Sequence, residues 1–316
     1  MKTKNLLFTF ILSELLLFSC KIKNDNEDMQ NQEKANLKKY IAANHITATP
    51  TADGLYYLEL TQGKGTTPVD TDFVLINTTW YIINSDGNTT LVGTNDTSLA
   101  IKKNILPFVS YKGPLKLFLS NIGIKGLSEG LAMMKVGGMA NLIVPSDLAY
   151  NGYGFYDIPP YSSLIINVEL VKVIKDPVAD DKHFVDQYLD TLQLKESDLT
   201  NGIYLKVDKE GTGDSIESYD IVSFQFKDKA LDTAFSIGSS KFISFKYTVD
   251  QDTIFRGLRV AIGMLKKGAE ARLILPYNMV EGAGGFGRYP WIVDIPPYTS
   301  LFYQLVITDV QKAAKK

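Results

Sequence analysis

The stretch DIPPYSSLIINVEL at residues 157–170 returns almost unchanged as DIPPYTSLFYQLVI at residues 294–307. Both copies lead from a proline-rich turn into alternating apolar and polar residues, which is the pattern of a half-buried β-strand. In the first copy Leu164 and Ile166 fall on one face of the strand and Asn167 falls on the other. The repeat therefore predicts two strands of the same kind, 137 residues apart.

Further matching blocks extend this repeat in both directions. Residues 38–65 match residues 186–213 at an offset of 148, and residues 124–145 match residues 255–276 at an offset of 131. The offset between the copies falls from 148 to 131, so the first copy is 17 residues longer between these two blocks. The offset then rises to 137 at Ile-Pro-Pro, so the second copy is 6 residues longer just before that motif. Blocks that match in the same order, with insertions in loops, indicate a tandem duplication rather than a short-period array.

Each copy has the same predicted order of elements. A short amphipathic helix comes first, followed by an early strand, one or two more strands, one short helix and two final strands. This order lacks the β-α-β alternation of a parallel sheet, so it predicts an α+β fold in which an antiparallel sheet closes on its helix. We expect two tandem domains of this kind at residues 38–176 and 180–312.

The composition excludes several classes of site. The chain has 316 residues, is 45% apolar and carries a formal net charge of −2, so it has no electrostatic footprint for nucleic acid. Its single cysteine and two histidines leave no intramolecular disulfide and argue against a zinc site of the Cys/His kind. No metal and no cofactor are expected.

The amino terminus has the pattern of a targeting segment. Lys2 and Lys4 precede an apolar run from Leu6 to Phe18, which is typical of a signal peptide and too short to span a bilayer comfortably. The run ends at Cys20 in a sequence that resembles a bacterial lipobox, although Phe18 stands where a small residue is usual. The alternative for Cys20 is an ordinary buried cysteine.

A lipid on Cys20 would define the location of the whole chain. We predict a lipoprotein signal peptide over residues 1–19, followed by the lipidated Cys20 and a polar tether over residues 20–37. Such an anchor implies a protein of a Gram-negative, Bacteroidetes-like cell envelope that faces the periplasm or the exterior. The outer membrane is favoured over the inner one.

The stretch from residue 126 to residue 173 resembles the carboxy-terminal half of FKBP-type peptidyl-prolyl cis/trans isomerases. The matching motifs are the helix GLSEG, its end MKVG, the loop PSDLAY and the strand that begins at Ile158. The second copy matches more weakly, through segments such as residues 272–276 and residues 295–305. The resemblance covers about residues 39–176 and 184–311.

The resemblance implies a bent antiparallel sheet wrapped around one short helix, with an apolar pocket between them for a prolyl side chain. In the first copy it assigns this pocket to Ile124, Leu127, Ile158 and Ile166, with Tyr150 as hydroxyl donor. In the second copy it assigns the pocket to Phe226, Phe235, Phe255, Leu258, Ile295 and Tyr303. The alternative is that all of these apolar residues are ordinary residues of a hydrophobic core.

Several positions depart from the family pattern. Leu127 stands where the pocket floor is often Trp, and the family's early Tyr and its Asp fall near Thr78 and Gly93. In the second copy Glu281 replaces the rim tyrosine and Ser236 replaces the Asp. The first copy is therefore the one expected to be active, if either is.

Three functions remain open on the sequence. The first is a prolyl isomerase that assists the folding of envelope proteins. The second is a non-catalytic chaperone that binds proline-containing or unfolded segments, and the third is a structural subunit of an envelope machine. The GAGGFG stretch at residues 282–287 fits a dinucleotide motif, but Pro290 and not a helix follows it, so a long loop is expected there.

Overall fold

The computed structural model describes residues 25–105, 111–251, 253–280 and 295–314. The helices of this part are α1 (Asp25–Ala43), α2 (Thr97–Lys103), α3 (Lys125–Met133), α4 (Pro177–Leu192) and α5 (Arg256–Gly263). The strands of the first half are β1 (Tyr56–Thr61), β2 (Phe73–Ile83), β3 (Thr89–Thr94), β4 (Leu115–Phe118), β5 (Met139–Val144) and β6 (Leu164–Ile174). Those of the second half are β7 (Leu199–Thr200), β8 (Ile203–Lys209), β9 (Ile221–Ala230), β10 (Ile243–Thr248), β11 (Glu270–Leu275) and β12 (Leu301–Gln311).

The strands form two six-stranded antiparallel sheets. The first has the order β1-β5-β6-β2-β3, with β4 also paired to β2, and the second has the order β10-β9-β12-β11-β8-β7. The four strands β1-β5-β6-β2 of the first sheet follow the same order as β8-β11-β12-β9 of the second. The prediction of antiparallel sheets accompanied by a few helices is confirmed.

Helix α3 packs closely on the inner face of the first sheet because two glycines leave room for the strand beneath it. A Cβ on Gly126 would lie 2.5 Å from a methyl of Val144, and one on Gly130 would lie 2.4 Å from a methyl of Leu142. The apolar side of the helix, including Leu127, then joins the core formed by the inner faces of β2, β5 and β6. Helix α5 has the same place against β11, where Gly257 approaches Leu275.

The helix that precedes each sheet covers part of the opposite, outer face. Leu37 of α1 packs with Ile143 and Ile165, which point away from α3. In the same way, Leu189 of α4 packs with Ile274 on the outer face of the second sheet. Each sheet is therefore a central layer between two helices, with a separate small apolar cluster on its outer side.

A buried carboxylate joins each outer helix to its sheet. Glu33 of α1, 6% exposed, accepts hydrogen bonds from the backbone N–H of Ser146 and from the hydroxyl of Ser163. Asp181 of α4, 5% exposed, accepts from the backbone N–H of Ser300 at 2.8 Å and from its hydroxyl at 2.5 Å. Ser163 and Ser300 directly precede β6 and β12, so each carboxylate holds the turn that follows Ile-Pro-Pro.

Residues 25–37 of the predicted polar tether lie in helix α1, because the chain is helical from Asp25 onward. Its first turn carries Asp25, Glu27 and Asp28, which stabilise a helix amino terminus. The segment has few apolar residues, so it lacks the periodicity by which helices are recognised. It is held instead by Glu33 and Leu37, which lie 148 positions before Asp181 and Val185 and so extend the repeat.

The two sheets also contact each other. The backbone N–H of Ser236 donates to the carbonyl of Lys112 at 2.7 Å, and this pair forms an isolated antiparallel bridge. Next to it, the ring of Tyr111 meets that of Phe235 edge to face, with centroids 5.6 Å apart. Tyr111 is buried within the apolar core of the second sheet, so experiments on separated halves would expose it.

Candidate functional site

The second sheet and α5 enclose an apolar cavity of about 120 Å³. Five of the six residues predicted for the second pocket line it: Phe226, Phe255, Leu258, Ile295 and Tyr303. The sixth, Phe235, does not line the cavity, because its ring packs on Tyr111 at the contact between the sheets. The remaining apolar lining consists of Phe224, Ile237, Ile243, Phe245 and Ile254.

The cavity follows from the alternation of two neighbouring strands. Phe224, Phe226 and Asp228 are every second residue of β9, and Tyr303 lies opposite Asp228 on β12. The rings of Phe226 and Tyr303 are 5.6 Å apart, centroid to centroid, and those of Phe224 and Phe245 are 5.6 Å apart. Aromatic side chains with few rotamers thus form rigid walls on either side of the cavity.

Asp228 is a cavity residue that the sequence analysis did not identify. Its carboxylate accepts a hydrogen bond from the backbone N–H of Ser239 at 3.0 Å. Gly238 makes this contact possible, since it has a φ of +96° and a Cβ there would lie 2.1 Å from the Asp228 carbonyl oxygen. The alternation of β9 could have pointed to Asp228, because it continues the inward-facing series of Phe224 and Phe226.

Burial disfavours the ionised form of both polar groups that line this cavity. Burial raises the pKa of Asp228 above its ordinary value. Burial, and then the neighbouring Asp228, hold the pKa of Tyr303 well above its ordinary value. The Tyr303 hydroxyl therefore remains a hydrogen-bond donor across the neutral and mildly alkaline range.

The structure also brings together the five residues predicted for the first pocket. Four of them, Ile124, Leu127, Ile158 and Ile166, are buried in one apolar cluster. Tyr150 packs against this cluster, and its ring stacks on Phe155 with centroids 4.8 Å apart and an interplanar angle of 9°. Burial raises the pKa of Tyr150 to about 12, so this hydroxyl is also a donor at neutral pH.

Trp80 distinguishes the first pocket region from the second. It lies opposite Ile166 on β2 and is part of the same apolar cluster, and its indole N–H donates to the Thr78 hydroxyl at 2.8 Å. The register position opposite Tyr303 in the second sheet holds Asp228 instead. A large indole in the first sheet thus corresponds to a smaller carboxyl that lines a cavity in the second.

Several predicted features lie outside the described residues. These are the signal peptide, Cys20, Glu281 and the GAGGFG loop. Within the ranges that the structure covers, no helix is both long and apolar enough to cross a membrane. The same ranges contain no cluster of three or more His, Cys, Asp or Glu side chains that could hold a metal ion.

One segment of the chain matches a family of known proteins. Residues 97–171 match the family described as FKBP-type peptidyl-prolyl cis-trans isomerase. The chain is 32% identical over 166 residues to the FKBP-type peptidyl-prolyl cis-trans isomerase FkpA of Escherichia coli (strain K12), covering 52% of this chain and 54% of that protein. It is 33% identical over 125 residues to the FKBP-type 22 kDa peptidyl-prolyl cis-trans isomerase of the same strain, covering 39% and 52%.

Two solved structures also align with the chain, both with low TM-scores. The crystal structure of E. coli FkpA aligns with a TM-score of 0.37 at 28% identity, over 55% of this chain and 74% of that one. The structure of the three FKBP domains of wheat FKBP73 aligns with a TM-score of 0.31 at 20% identity, over 83% and 97%. The resemblance to FKBP-type isomerases rests on the family match and on the curated relatives. The chain spans about half the length of the curated relatives it matches.

Proposed function

We propose that this chain is a peptidyl-prolyl cis/trans isomerase, built from two FKBP-like domains, that assists the folding of cell-envelope proteins. The observation that carries the proposal is the apolar cavity of the second sheet, with a neutral tyrosine and a carboxyl group in its wall. The match of residues 97–171 to the isomerase family supports it independently from the other half of the chain.

The cavity has the chemistry that prolyl isomerisation requires. The barrier to rotation about a peptide bond is about 18–20 kcal/mol, and lowering it needs neither a nucleophile nor a metal. An apolar pocket removes water from the amide and so favours the twisted, less conjugated bond of the transition state. A donor that holds the substrate carbonyl would complete the site.

We assign the principal site to the second sheet, although the sequence favoured the first. Tyr303 would donate to the substrate carbonyl, and Asp228 would act as a positioning residue beside it. The aromatic walls Phe226 and Phe255 would pack on the prolyl ring, with Leu258 beneath it. In the first sheet Trp80 stands where the second has Asp228, so we expect Tyr150 and its neighbours to contribute less.

An assay of proline-limited refolding tests the activity. The purified protein should accelerate the refolding of a small protein whose slow phase is the isomerisation of one proline, at micromolar or lower concentration. That phase takes about tens to hundreds of seconds without a catalyst, so acceleration is easily measured. An unchanged slow phase at micromolar protein would exclude the isomerase.

A non-catalytic chaperone is the second candidate, and one loop favours it. Tyr153 and Tyr156 are each 93% exposed, and Phe155 between them is half exposed. The rings of Phe155 and Tyr156 meet edge to face, with centroids 4.6 Å apart, beside Tyr150 of the first pocket. Exposed aromatic rings of this kind bind unfolded chains without requiring a proline. This function predicts that aggregation of a proline-free client is suppressed while the slow refolding phase is unaffected.

The location follows from the proposed lipid on Cys20. In bacteria that process lipoproteins, the expressed chain should lose residues 1–19 and carry acyl groups on Cys20, as mass spectrometry of the intact protein would detect. Replacing Cys20 with alanine should leave the chain unacylated and release it from the membrane fraction, since a single apolar run of signal length does not anchor it. A wild-type chain that carries no acyl group would refute the anchor.

A further inference from the structure

A second cavity lies on the outer face of the first sheet, on the opposite side from α3. It has a volume of about 700 Å³ and opens to solvent. Helix α1 covers the neighbouring part of this face, around Ile143 and Ile165, and leaves the rest uncovered. The floor of the cavity is polar and consists of Asn77, Thr79, Asn141, Asn167 and Glu169.

The wall of this groove is made by a connection that is longer in the first copy than in the second. Residues 95–98 at the start of α2, together with Lys112 and Gly113, form one side. All of them fall within the connection in which the first copy is 17 residues longer. This longer connection therefore forms one side of a groove that lies apart from the prolyl pocket.

Asn95 fixes this wall to the floor. It is buried, its side-chain oxygen accepts from the backbone N–H of Thr78 at 2.7 Å, and its nitrogen donates to the Gly113 carbonyl at 2.9 Å. The same nitrogen lies 3.2 Å from the side-chain oxygen of Asn77. A buried amide with this many partners holds the groove in one shape before any ligand arrives.

The floor offers amide groups with unused donors and acceptors. Asn167 donates to the side-chain oxygen of Asn141. Within the described residues this leaves the Asn141 nitrogen and the Asn167 oxygen available to a ligand. Asn77 donates to one carboxylate oxygen of Glu169 at 2.8 Å. Such groups each present a donor beside an acceptor, which matches the hydroxyls of a sugar, since a hydroxyl both donates and accepts.

Beside the amides, the rim supplies an apolar strip. Leu60 is 57% exposed and Met139 is 43% exposed, and both line the groove. A sugar ring has an apolar C–H face as well as a polar edge, so the strip and the amides together match both. Ionised groups are few: the lining contains one lysine and two carboxylates, and Asp96 already caps α2.

Other ligand classes fit this groove less well. An extended peptide binds a sheet by pairing with an exposed edge. The floor strands β5, β6 and β2 are interior strands of the first sheet, and their backbone groups are already paired. A polyanion would need several cations, whereas Lys112 is the single cation of the lining. The groove lies within the range of about 300–1,000 Å³ that encloses a small ligand.

The equivalent positions on the outer face of the second sheet carry charged side chains. At the positions equivalent to Asn141 and Leu60 stand Arg272 and Asp208, which form a bidentate ion pair at 2.7 and 2.6 Å. Met139 corresponds to Glu270, which pairs with Lys209 at 3.0 Å. Charged side chains that neutralise one another cover the second face, whereas the first face leaves neutral amides open.

We propose that this outer groove of the first sheet binds a neutral oligosaccharide. The test is calorimetry of the purified protein with a panel of neutral tetrasaccharides built from glucose, mannose and N-acetylglucosamine, together with heparin and an unfolded proline-free peptide. At least one tetrasaccharide should bind with a submillimolar Kd. The double variant N141L/N167L, which keeps the side-chain size but removes both amides, should weaken it at least about tenfold.

Two further variants keep the test decisive. L60D/M139E places the charges of the second sheet on exposed rim positions, where folding is not at risk, and should also weaken binding. Gln304→Leu, at the position of the second sheet equivalent to Asn167, should leave binding unchanged. If no tetrasaccharide binds at millimolar concentration, or if heparin or the peptide binds and N141L/N167L abolishes it, the proposal is overturned.

Discussion

Replacing Asp181 with alanine is expected to lower the free energy of unfolding by about 3 kcal/mol. The substitution removes the acceptor of two buried hydrogen bonds and leaves the backbone N–H of Ser300 without a partner. It also removes a carboxylate near Lys116, whose ammonium donates to the carbonyl of Tyr298 at 3.1 Å. Burial lowers the pKa of Lys116, while Asp180, Asp181 and Asp232 raise it, so removing Asp181 takes away one of three compensating groups. Urea denaturation of the full chain measures the change.

The matched control is Asp181→Asn, which keeps an oxygen for the Ser300 N–H. Burial raises the pKa of Asp181, so this carboxyl holds its proton more tightly in the folded state than in the unfolded chain. The stabilising contribution of such a group is complete below its unfolded pKa and is lost as pH rises through the raised folded value. The neutral amide should therefore cost less than about 1 kcal/mol at neutral pH. A loss from alanine no greater than that from asparagine would show that the hydrogen bonds to Ser300 do not hold α4 on its sheet.

The pair formed by Glu33 and Asp181 also shows why part of the fold escaped the sequence analysis. The duplicated strands were predictable because their apolar residues alternate, and alternation reports burial of one face directly. Helix α1 is held to the sheet by Leu37 and by a buried carboxylate, and a single glutamate in a polar stretch does not reveal its burial. The segment is related to α4 only when the offset of 148 is extended toward the amino terminus, beyond Tyr40, as far as Glu33.

The lining of the two cavities was likewise predictable only in part from the sequence. The aromatic walls of the second pocket were predictable, because Phe226 and Tyr303 sit on strands whose pattern marks the inner face. Asp228 continues the same alternation, but a charged residue near the end of a strand is usually solvated, so the pattern alone does not mark it as a cavity residue. The outer groove needs Asn77, Asn141 and Asn167 from three strands to meet beside the insertion. Their adjacency depends on strand register, which the sequence does not contain in any local pattern.

Replacing Tyr303 with phenylalanine is expected to reduce kcat/KM for prolyl isomerisation about tenfold or more, which corresponds to about 1.4 kcal/mol of transition-state stabilisation. The change removes one hydroxyl and keeps the ring that packs on Phe226. Thermal unfolding should be little affected, so the loss would report on the donor alone. The matched control is Tyr150→Phe, which keeps the stack on Phe155 and should retain more than half of the activity. The reverse result, with Tyr150→Phe the damaging change, would assign the principal site to the first sheet.

Asp228→Asn separates positioning from packing in the same pocket. Because burial raises the pKa of Asp228, ionising it in the folded state is unfavourable, and the amide should make the protein equally or more stable at neutral pH. If the carboxylate positions the Tyr303 hydroxyl, wild-type activity should fall as acid protonates Asp228, and the variant should be slower with no such acid limb. In a protein that already carries Tyr303→Phe, adding Asp228→Asn should then reduce the activity hardly further. The hydroxyl that Asp228 positions is already absent from that protein. Fully additive losses would mean that Asp228 acts on the substrate without Tyr303.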